Sequence, residues 1–301
     1  MDIQALETFI KTAELLHFGR ASRACNLSPS ALTRTIQRLE EEAGKPLFLR
    51  DNRSVALTDA GKQLLAYARN AVQEWRHFQE KLASNSNKVT GTISIYASIT
   101  AVYSLLPNLL ETYRTTHPGV QLELRTGAEE RAMEQVLSGE IDLAVAVLPD
   151  QRPTRLEFLP LAETPLVFIS PKSLGLPRTG KNRKPDLSKV PLVVPQSGTA
   201  RHRLDAWMRG NGISPIISSE VSGNEALIAM VRLGTGIGIV PQLALERSPF
   251  RNEVDLLPNT PKLDPYVVGL CSTKRNLKRP AVQSMWELAE SLKSRQRYNP
   301  D

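Results

Sequence analysis

The sequence predicts a mainly helical N-terminal domain closed by a β-hairpin, then one long helix, then an α/β domain of two lobes. Three observations predict it. Apolar residues recur in short helical stripes up to about Thr58, a sustained 3.5-residue apolar period follows, and strand-like and helical runs alternate from Gly91 onward. A length of 301 residues accommodates two domains, or three small ones, each with its own core. At 41% hydrophobic and 23% charged, the composition is that of a globular chain and not of a disordered, collagenous or membrane one.

Leu6, Phe9, Ile10, Ala13 and Leu16 place an amphipathic helix over Ile3 to His17. A short second helix from Phe18 to Cys25 carries Ala21 and Ala24, small enough for another helix to cross closely. Asn26 and Leu27 make a turn, and Ser28-Pro29 supplies an N-cap followed by proline at the first helical position. In the third helix Leu32, Ile36 and Leu39 must face the core, which turns Ser30, Thr33, Arg34, Thr35, Gln37 and Arg38 elsewhere. Gly44-Lys45-Pro46 stops that helix, and Leu47 to Arg50 and Ser54 to Leu57 form two short strands around Asp51-Asn52-Arg53. Helix, helix, turn, helix and basic hairpin is a winged helix-turn-helix over residues 1–58.

Charge agrees with that reading. The chain carries 38 basic and 31 acidic side chains, a net +7. From Arg20 to Thr58 seven basic residues face four acidic ones, three of them clustered as Glu40, Glu41 and Glu42. Arg, Thr and Gln are side chains that donate to base edges or phosphates. The basic clusters Lys181 to Lys184 and Lys274 to Arg279 lie among Pro, Gly and Asn and read as solvated loops.

The long helix begins with the N-cap Thr58 and with Asp59, which suits the positive end of the helix dipole. Leu64, Ala68, Ala71, Trp75, Phe78 and Leu82 recur at intervals of 4, 3, 4, 3 and 4, the period of a coiled-coil seam. Residues 59–88 are therefore expected to form a dimerising linker of roughly 40 Å, ending in the hinge-like Ser84-Asn85-Ser86-Asn87.

From residue 91 to 301 the pattern is that of two α/β lobes. Ile93, Ile95 and Ala97 mark a strand, Tyr103, Leu106, Leu109 and Leu110 a helix, and Val120, Leu122 and Leu124 a second strand. Met133, Val136 and Leu137 mark another helix, and Ile141 to Leu148 a buried parallel strand. The alternation restarts at Leu166 to Ile169, Leu192 to Val194, a helix near Ala200 to Arg209, Ile216-Ile217, a helix near Glu225 to Leu233, and Gly236 to Val240. Val267 to Cys271 and a helix from Arg279 to Leu292 are expected to return to the first lobe. That gives lobe I about 91–162 and 266–301, and lobe II about 163–265.

Ligands of open α/β sheets bind beyond the strand C-termini, at helix N-termini. Three such junctions carry small polar residues: Ser98-Ile99-Thr100, Gln196-Ser197-Gly198-Thr199 and Ser222-Gly223-Asn224. Each alone is an ordinary cap; their recurrence on both lobes points to a cleft for a small anion such as a carboxylate. Nothing points to an enzyme. His17, His77, His117 and His202 are scattered, with no H-E-x-x-H spacing, no G-x-S-x-G elbow and no phosphate-binding glycine loop, and no metal site is expected. Gly234 to Gly238 precedes a strand and reads as a helix stop. Cys25 and Cys271 lie 246 positions apart and suit reduced thiols in a cytoplasm, while the N-terminus lacks the features of a signal peptide and no apolar run is long enough to span a bilayer.

The run FGRASRACNLSPSALTRTIQRLEEEAGKPLFLRDNRSVALTDAG resembles the N-terminal signature of LysR-type transcriptional regulators. The rest of the layout is similar to that family too: a linker helix, then a two-lobed effector domain like type 2 periplasmic binding proteins. Within the family, HFGRASRA, ASITAVYSLLP, RTGAEERAMEQVLSGEIDLAVA and SGNEALIAMVRLGTGIGIVP look most like the activators of the acetohydroxy acid isomeroreductase gene in isoleucine and valine biosynthesis.

The resemblance implies a homodimer or homotetramer on double-stranded promoter DNA, a small anionic coinducer (acetolactate or acetohydroxybutyrate), no other cofactor, contact with RNA polymerase, and no membrane association. It places base reading on Pro29, Ser30, Thr33, Arg34 and Thr35, with Arg20, Ser28 and Arg38 beside them and Arg50 and Arg53 reaching backbone or minor groove from the wing. Many family members have Gln-Pro where this chain has Pro29-Ser30, so no operator rule resting on that Gln carries over. Ser98 and Thr100 match the family's effector contacts. Gln196, Thr199 and Asn224 follow by position, and Ile99, Thr126 and Gly127 complete the set. The alternatives are a regulator answering to another small carboxylate, a small-molecule-binding protein without a DNA function, an exported solute-binding protein, which would have no use for a winged helix, and a keto-acid enzyme, for which no catalytic constellation appears.

Overall fold

A computed structural model describes residues 1–51, 54–83, 89–149, 153–172, 178–179 and 184–298. The chain divides into two compact units, Met1–Lys88 with Ser138–Glu140, and Val89–Leu137 with Ile141–Asp301.

The first unit contains α1 (Ile3–Leu15), α2 (Phe18–Ala24), α3 (Pro29–Ala43), the hairpin β1 (Phe48–Asp51) and β2 (Ser54–Leu57), and α4 (Asp59–Ala83). Asp2 caps α1 by accepting from the Ala5 amide, and the helix ends at Leu15, two residues before the expected His17, with Leu16 in the left-handed region at φ 45°. His17 instead caps α2, accepting from the Arg20 amide. Ser28 caps α3 with Pro29 at its first turn, and Gly44 at φ 64° stops it. Leu32, Ile36 and Leu39 are fully buried against Leu6, Phe9 and Ala21, and the Phe48 ring stands edge-on to Phe9 and Phe18 at 5.5 Å each. Glu40, read from the sequence only as part of an acidic cluster, accepts from the Leu47 and Phe48 amides at 2.9 and 3.3 Å and so fastens the hairpin to α3.

The linker needs correcting. Thr58 holds α4 to the hairpin, donating to the Pro46 carbonyl at 2.7 Å and accepting from the Gly61 amide at 2.9 Å. A Cβ at Gly61 would fall 2.1 Å from the Leu47 carbonyl oxygen, so this approach requires glycine. Leu64, Ala68 and Ala71, expected on a seam between subunits, pack with buried Val72 into the first unit's own core, where α4 lies on α1. Without that cover the α1 stripe would stay in water. The second half of the seam differs: Trp75, Phe78 and Leu82 are 43%, 50% and 63% exposed. Ser84 to Asn87 lie outside the described residues.

The second unit has two five-stranded sheets. Lobe I contains β3 (Gly91–Ala97), α5 (Ile99–Ser104), α6 (Pro107–Thr116), β4 (Val120–Thr126), α7 (Ala132–Leu137), β5 (Leu143–Val147) and β6 (Leu156–Thr164). Lobe II holds β7 (Leu166–Pro171), the short β8 (Arg178–Thr179) and β9 (Lys184–Pro185), β10 (Pro191–Pro195), α8 (Gly198–Gly210), β11 (Ile216–Val221), α9 (Asn224–Arg232), β12 (Ile237–Pro241), α10 (Gln242–Glu246) and β13 (Val254–Leu256). The chain then returns to lobe I through β14 (Tyr266–Thr273) and α11 (Pro280–Tyr298).

The orders are β4-β3-β5-β14-β6 and β11-β10-β12-β7-β13, each with its first three strands parallel, the fourth antiparallel to them and the fifth antiparallel to the fourth. Ile141 to Leu148, expected to be wholly parallel, is parallel to β3 and antiparallel to β14. The single helix expected over Tyr103 to Leu110 is two, because Pro107 opens a new one. Strands β6 and β13 had no counterpart in the sequence reading.

Period-2 alternation feeds a core on each face of each sheet. Ile93, Ile95 and Ala97 face α6 and α11, while Tyr96 faces α7. In lobe II α8 packs on one face through Leu204 and Met208, and α9 on the other through Leu227 and Val231. Gly238 lets α9 lie this close, since a Cβ there would meet Leu227 at 2.4 Å.

A buried polar knot fixes the returning segment to lobe I. Arg279 donates to Asp142 and, at 2.6 Å, to the Thr92 carbonyl; Asp142 also accepts from the Ser94 amide at 2.8 Å. Ser272 and Asn276 donate to the Asp142 carbonyl at 2.7 and 3.1 Å.

Candidate nucleic-acid face and interlobe cleft

The N-terminal turn of α3 presents Ser28, Pro29 and Ser30 to solvent, with Arg34 exposed and Thr33 and Thr35 half-buried. The cap bond itself aims this turn, because the Ser28 hydroxyl accepts from the Ala31 amide at 3.2 Å and lies 3.1 Å from the Ser30 hydroxyl. Thr33 and Thr35 donate their hydroxyl protons back to the Pro29 and Ala31 carbonyls at 2.8 and 3.1 Å, which leaves their oxygens as acceptors. Arg20 and Arg34 form no ion pair among the described residues.

Arg38 is a correction. Its guanidinium is bonded to Asp2 at 2.6 Å and lies 3.8 Å from Glu42, so it ties α3 to the start of α1 instead of standing open to a phosphate. Asp2 is held below the usual carboxylate range by the Ala5 amide and by Arg38. The Arg38–Glu42 spacing of four was legible in the sequence; the Asp2 contact, across 36 residues, was not. The Arg50 side chain and Arg53 lie outside the described residues.

In the second unit register sets the cleft. Ala97 pairs with Thr126, so Ser98 and Gly127 leave neighbouring strands at one level, and Pro195 pairs with Val221, so Gln196 and Ser222 do the same in lobe II. Ser98 caps α5, accepting from Ala101 at 3.2 Å, and Ile99 is exposed. Gln196, Thr126 and Gly127 are exposed; Thr199 and Asn224 are half-buried at the starts of α8 and α9. Gly127 is demanded by packing, since a Cβ there would fall 2.1 Å from the Tyr96 hydroxyl.

The two lobes meet through bonds the sequence did not announce. Thr100 on α5 donates to Glu225 Oε1 on α9 at 2.6 Å, and Ser197, at the start of α8, donates to Glu130 Oε1 at 2.7 Å. Glu129 and Glu130 both reach the first residue of α8, within 3.9 Å of a Cβ built on Gly198. The helix N-termini expected to receive an anion thus already hold the protein's own carboxylates, which favour the positive end of the helix dipole. The expected open hydroxyl cleft is corrected accordingly.

Glu129 is strongly perturbed by its surroundings. Loss of water on burial, then the neighbouring Glu130 charge and more weakly Glu225, push its carboxyl up to about 7 against the pull of a hydrogen bond from Tyr266. Burial and the Glu129 charge raise Tyr266 in turn. The segment RTGAEE contained the signal for Glu129 and Glu130, two acids directly after a strand end. Glu225 lay beside the expected Asn224. Among the described residues no cluster of His, Cys, Asp or Glu is arranged to hold a metal ion, and no helix is long and apolar enough to cross a membrane.

Comparison with known proteins agrees with both halves of this arrangement. Residues 3–62 match the model of bacterial regulatory helix-turn-helix proteins of the lysR family, and residues 86–293 match that of the LysR substrate binding domain. The chain is 39% identical over 300 residues to the HTH-type transcriptional regulator IlvY of Escherichia coli K12, covering 97% of this chain and 100% of that protein. It is 40% identical over 295 residues to the HTH-type transcriptional activator IlvY of Salmonella typhimurium, covering 96% and 99%. The crystal structure of CbnR, a LysR family transcriptional regulator, shares the fold with a TM-score of 0.67 at 23% identity, over 97% of this chain and 99% of that one.

Proposed function

The chain belongs to the LysR family of bacterial transcriptional regulators, and from that membership we propose that it activates the acetohydroxy acid isomeroreductase gene with acetolactate or acetohydroxybutyrate as coinducer. The observation that carries the regulatory reading is the capped N-terminal turn of α3, whose Ser28-Pro29-Ser30 edge and unpaired Arg34 stand outward from a core sealed by Leu32, Ile36 and Leu39. In this reading α3 enters the major groove of promoter DNA, Ser30, Thr33, Arg34 and Thr35 meet base edges, and Arg20 and the wing arginines Arg50 and Arg53 meet the backbone or minor groove.

The near full-length identity to proteins named IlvY supports the pathway. The coinducer is a small anion, and Thr100 and Ser197, one hydroxyl from each lobe, can donate to its carboxylate when it displaces the glutamates they now hold. Binding acts only through unequal affinity for two lobe arrangements, and closure on the ligand would shift their populations. The exposed Trp75, Phe78 and Leu82 on α4 support a homodimer or homotetramer, RNA polymerase is the further partner, and the cytoplasm is the place of action.

The test is selection of bound duplexes from a random DNA pool by the purified protein, with and without acetolactate. An enriched inverted repeat whose affinity or footprint responds to acetolactate is the expected result. A repeat indifferent to acetolactate would keep the regulator and reject the coinducer, and no enrichment at low salt would reject the DNA-binding assignment.

A further inference from the structure

The two hydroxyls that the cleft offers from opposite sides, Thr100 of lobe I and Ser197 of lobe II, are each bonded to a glutamate of the other lobe, at 2.6 and 2.7 Å. Glu225 and Glu130 therefore occupy the positions in which a ligand's carboxylate would be received. We propose that Glu225 and Glu130 are specificity-determining residues, which admit a small hydroxy acid and reject a plain carboxylate of the same size. The inference rests on reading this cleft as the effector site.

The reason lies in which atoms can donate. A ligand carboxylate that takes the Thr100 or Ser197 proton strips the glutamate that held it of its donor. A ligand with acceptors alone then leaves the part-buried Glu225 without its donor, turns the exposed Glu130 to water, and adds a further negative charge beside Glu129, Glu130 and Glu225. A ligand carrying a hydroxyl next to its carboxylate accepts from the threonine or serine and donates to the displaced glutamate in the same step, so every polar group keeps a partner. Sites built to receive a hydroxyl discriminate most strongly against the analogue without one.

The surroundings reinforce this. Glu129 stands beside the Glu130 and Glu225 charges and accepts from the buried Tyr266, over whose ring Arg203 is set at 5.5 Å. The Arg203 guanidinium donates to the Asp264 and Pro265 carbonyls, at 2.7 and 2.6 Å, which fixes it there. Glu129, neutral for part of the population at pH 7, supplies one more donor to a ligand oxygen.

The test uses the full-length protein and calorimetric titration with acetolactate, 2-hydroxyisobutyrate and pivalate, the last differing from the second by a methyl in place of the hydroxyl. Wild type is expected to bind both hydroxy acids, and 2-hydroxyisobutyrate about tenfold tighter than pivalate. Glu225→Ala should bring that ratio to about twofold or less, whereas Glu225→Gln, which keeps an acceptor and removes the charge, should preserve the ratio and tighten both ligands. A ratio unchanged in Glu225→Ala, or pivalate bound by wild type as well as the hydroxy acid, overturns the inference and leaves the effector cleft standing. No binding of any of the three by folded wild type overturns the cleft assignment and the inference together. Should Glu225→Ala not fold, Glu130→Ala makes the same measurement at Ser197.

Discussion

Arg34 and Arg38 lie one helical turn apart on α3 and have different tasks. Arg34 is free to meet DNA, whereas Arg38 is spent on Asp2 and Glu42. Arg34→Ala is expected to cost about 1–3 kcal/mol in specific DNA affinity and to relax sequence preference at its position. Arg38→Ala should remove an exposed pair worth less than about 1 kcal/mol of stability. Competitive binding to the selected operator and to scrambled duplexes checks the first, and denaturant unfolding the second; an unchanged sequence preference would take Arg34 out of the base-reading set. At Glu129 the carboxyl is raised in the folded chain to about 7, from an ordinary 4.5. Its neutral form is stable in the fold below pH 4.5, and that advantage is lost as pH rises through 7. Glu129→Gln should therefore unfold like wild type near pH 4.5 and be more stable at pH 8 by about 3 kcal/mol. Thermal melts at the two pH values decide it, and a gain equal at both would refute the assignment.

At the scale of elements, α4 shows how one apolar period can serve two masters. Leu64, Ala68 and Ala71 are consumed by the α1 core, and Trp75, Phe78 and Leu82 are not. Ala68→Glu is expected to unfold the first unit, costing several kcal/mol for a charge buried without a partner, while Phe78→Glu should leave melting temperature nearly unchanged and dissociate the oligomer. Light scattering paired with circular dichroism separates these outcomes; a Phe78→Glu protein that keeps wild-type mass would remove this face from the interface. The return of β14 and α11 depends on Arg279 in the same way. Arg279→Ala strands Asp142 inside lobe I and should cost about 3–5 kcal/mol, seen as a lower unfolding midpoint of the second unit.

For the whole molecule, a regulator that neutralises several phosphates must lose DNA affinity steeply with salt, and the slope counts the contacts. Log Kd against log salt should be steep for wild type and shallower by about one unit for a variant lacking one phosphate-bound arginine such as Arg20. Binding that ignored salt would refute the electrostatic footprint drawn around α3.

The elements set by local rules were legible from the residues alone: the caps Ser28 and Thr58, the stops at Gly44 and Pro46, the buried stripe Leu32, Ile36 and Leu39, and the two α/β repeats with their polar junctions. Each depends on neighbours within a turn or along one strand, and spacing records such neighbours. Contacts between distant residues leave no periodic trace. Only the tertiary structure decided that half of the α4 seam closes its own domain, that Arg38 is paired with Asp2, and that Glu129, Glu130 and Glu225 fill the anion positions of the cleft. A helix N-terminus attracts negative charge whatever its source, and folding placed the chain's own carboxylates there before any ligand could arrive.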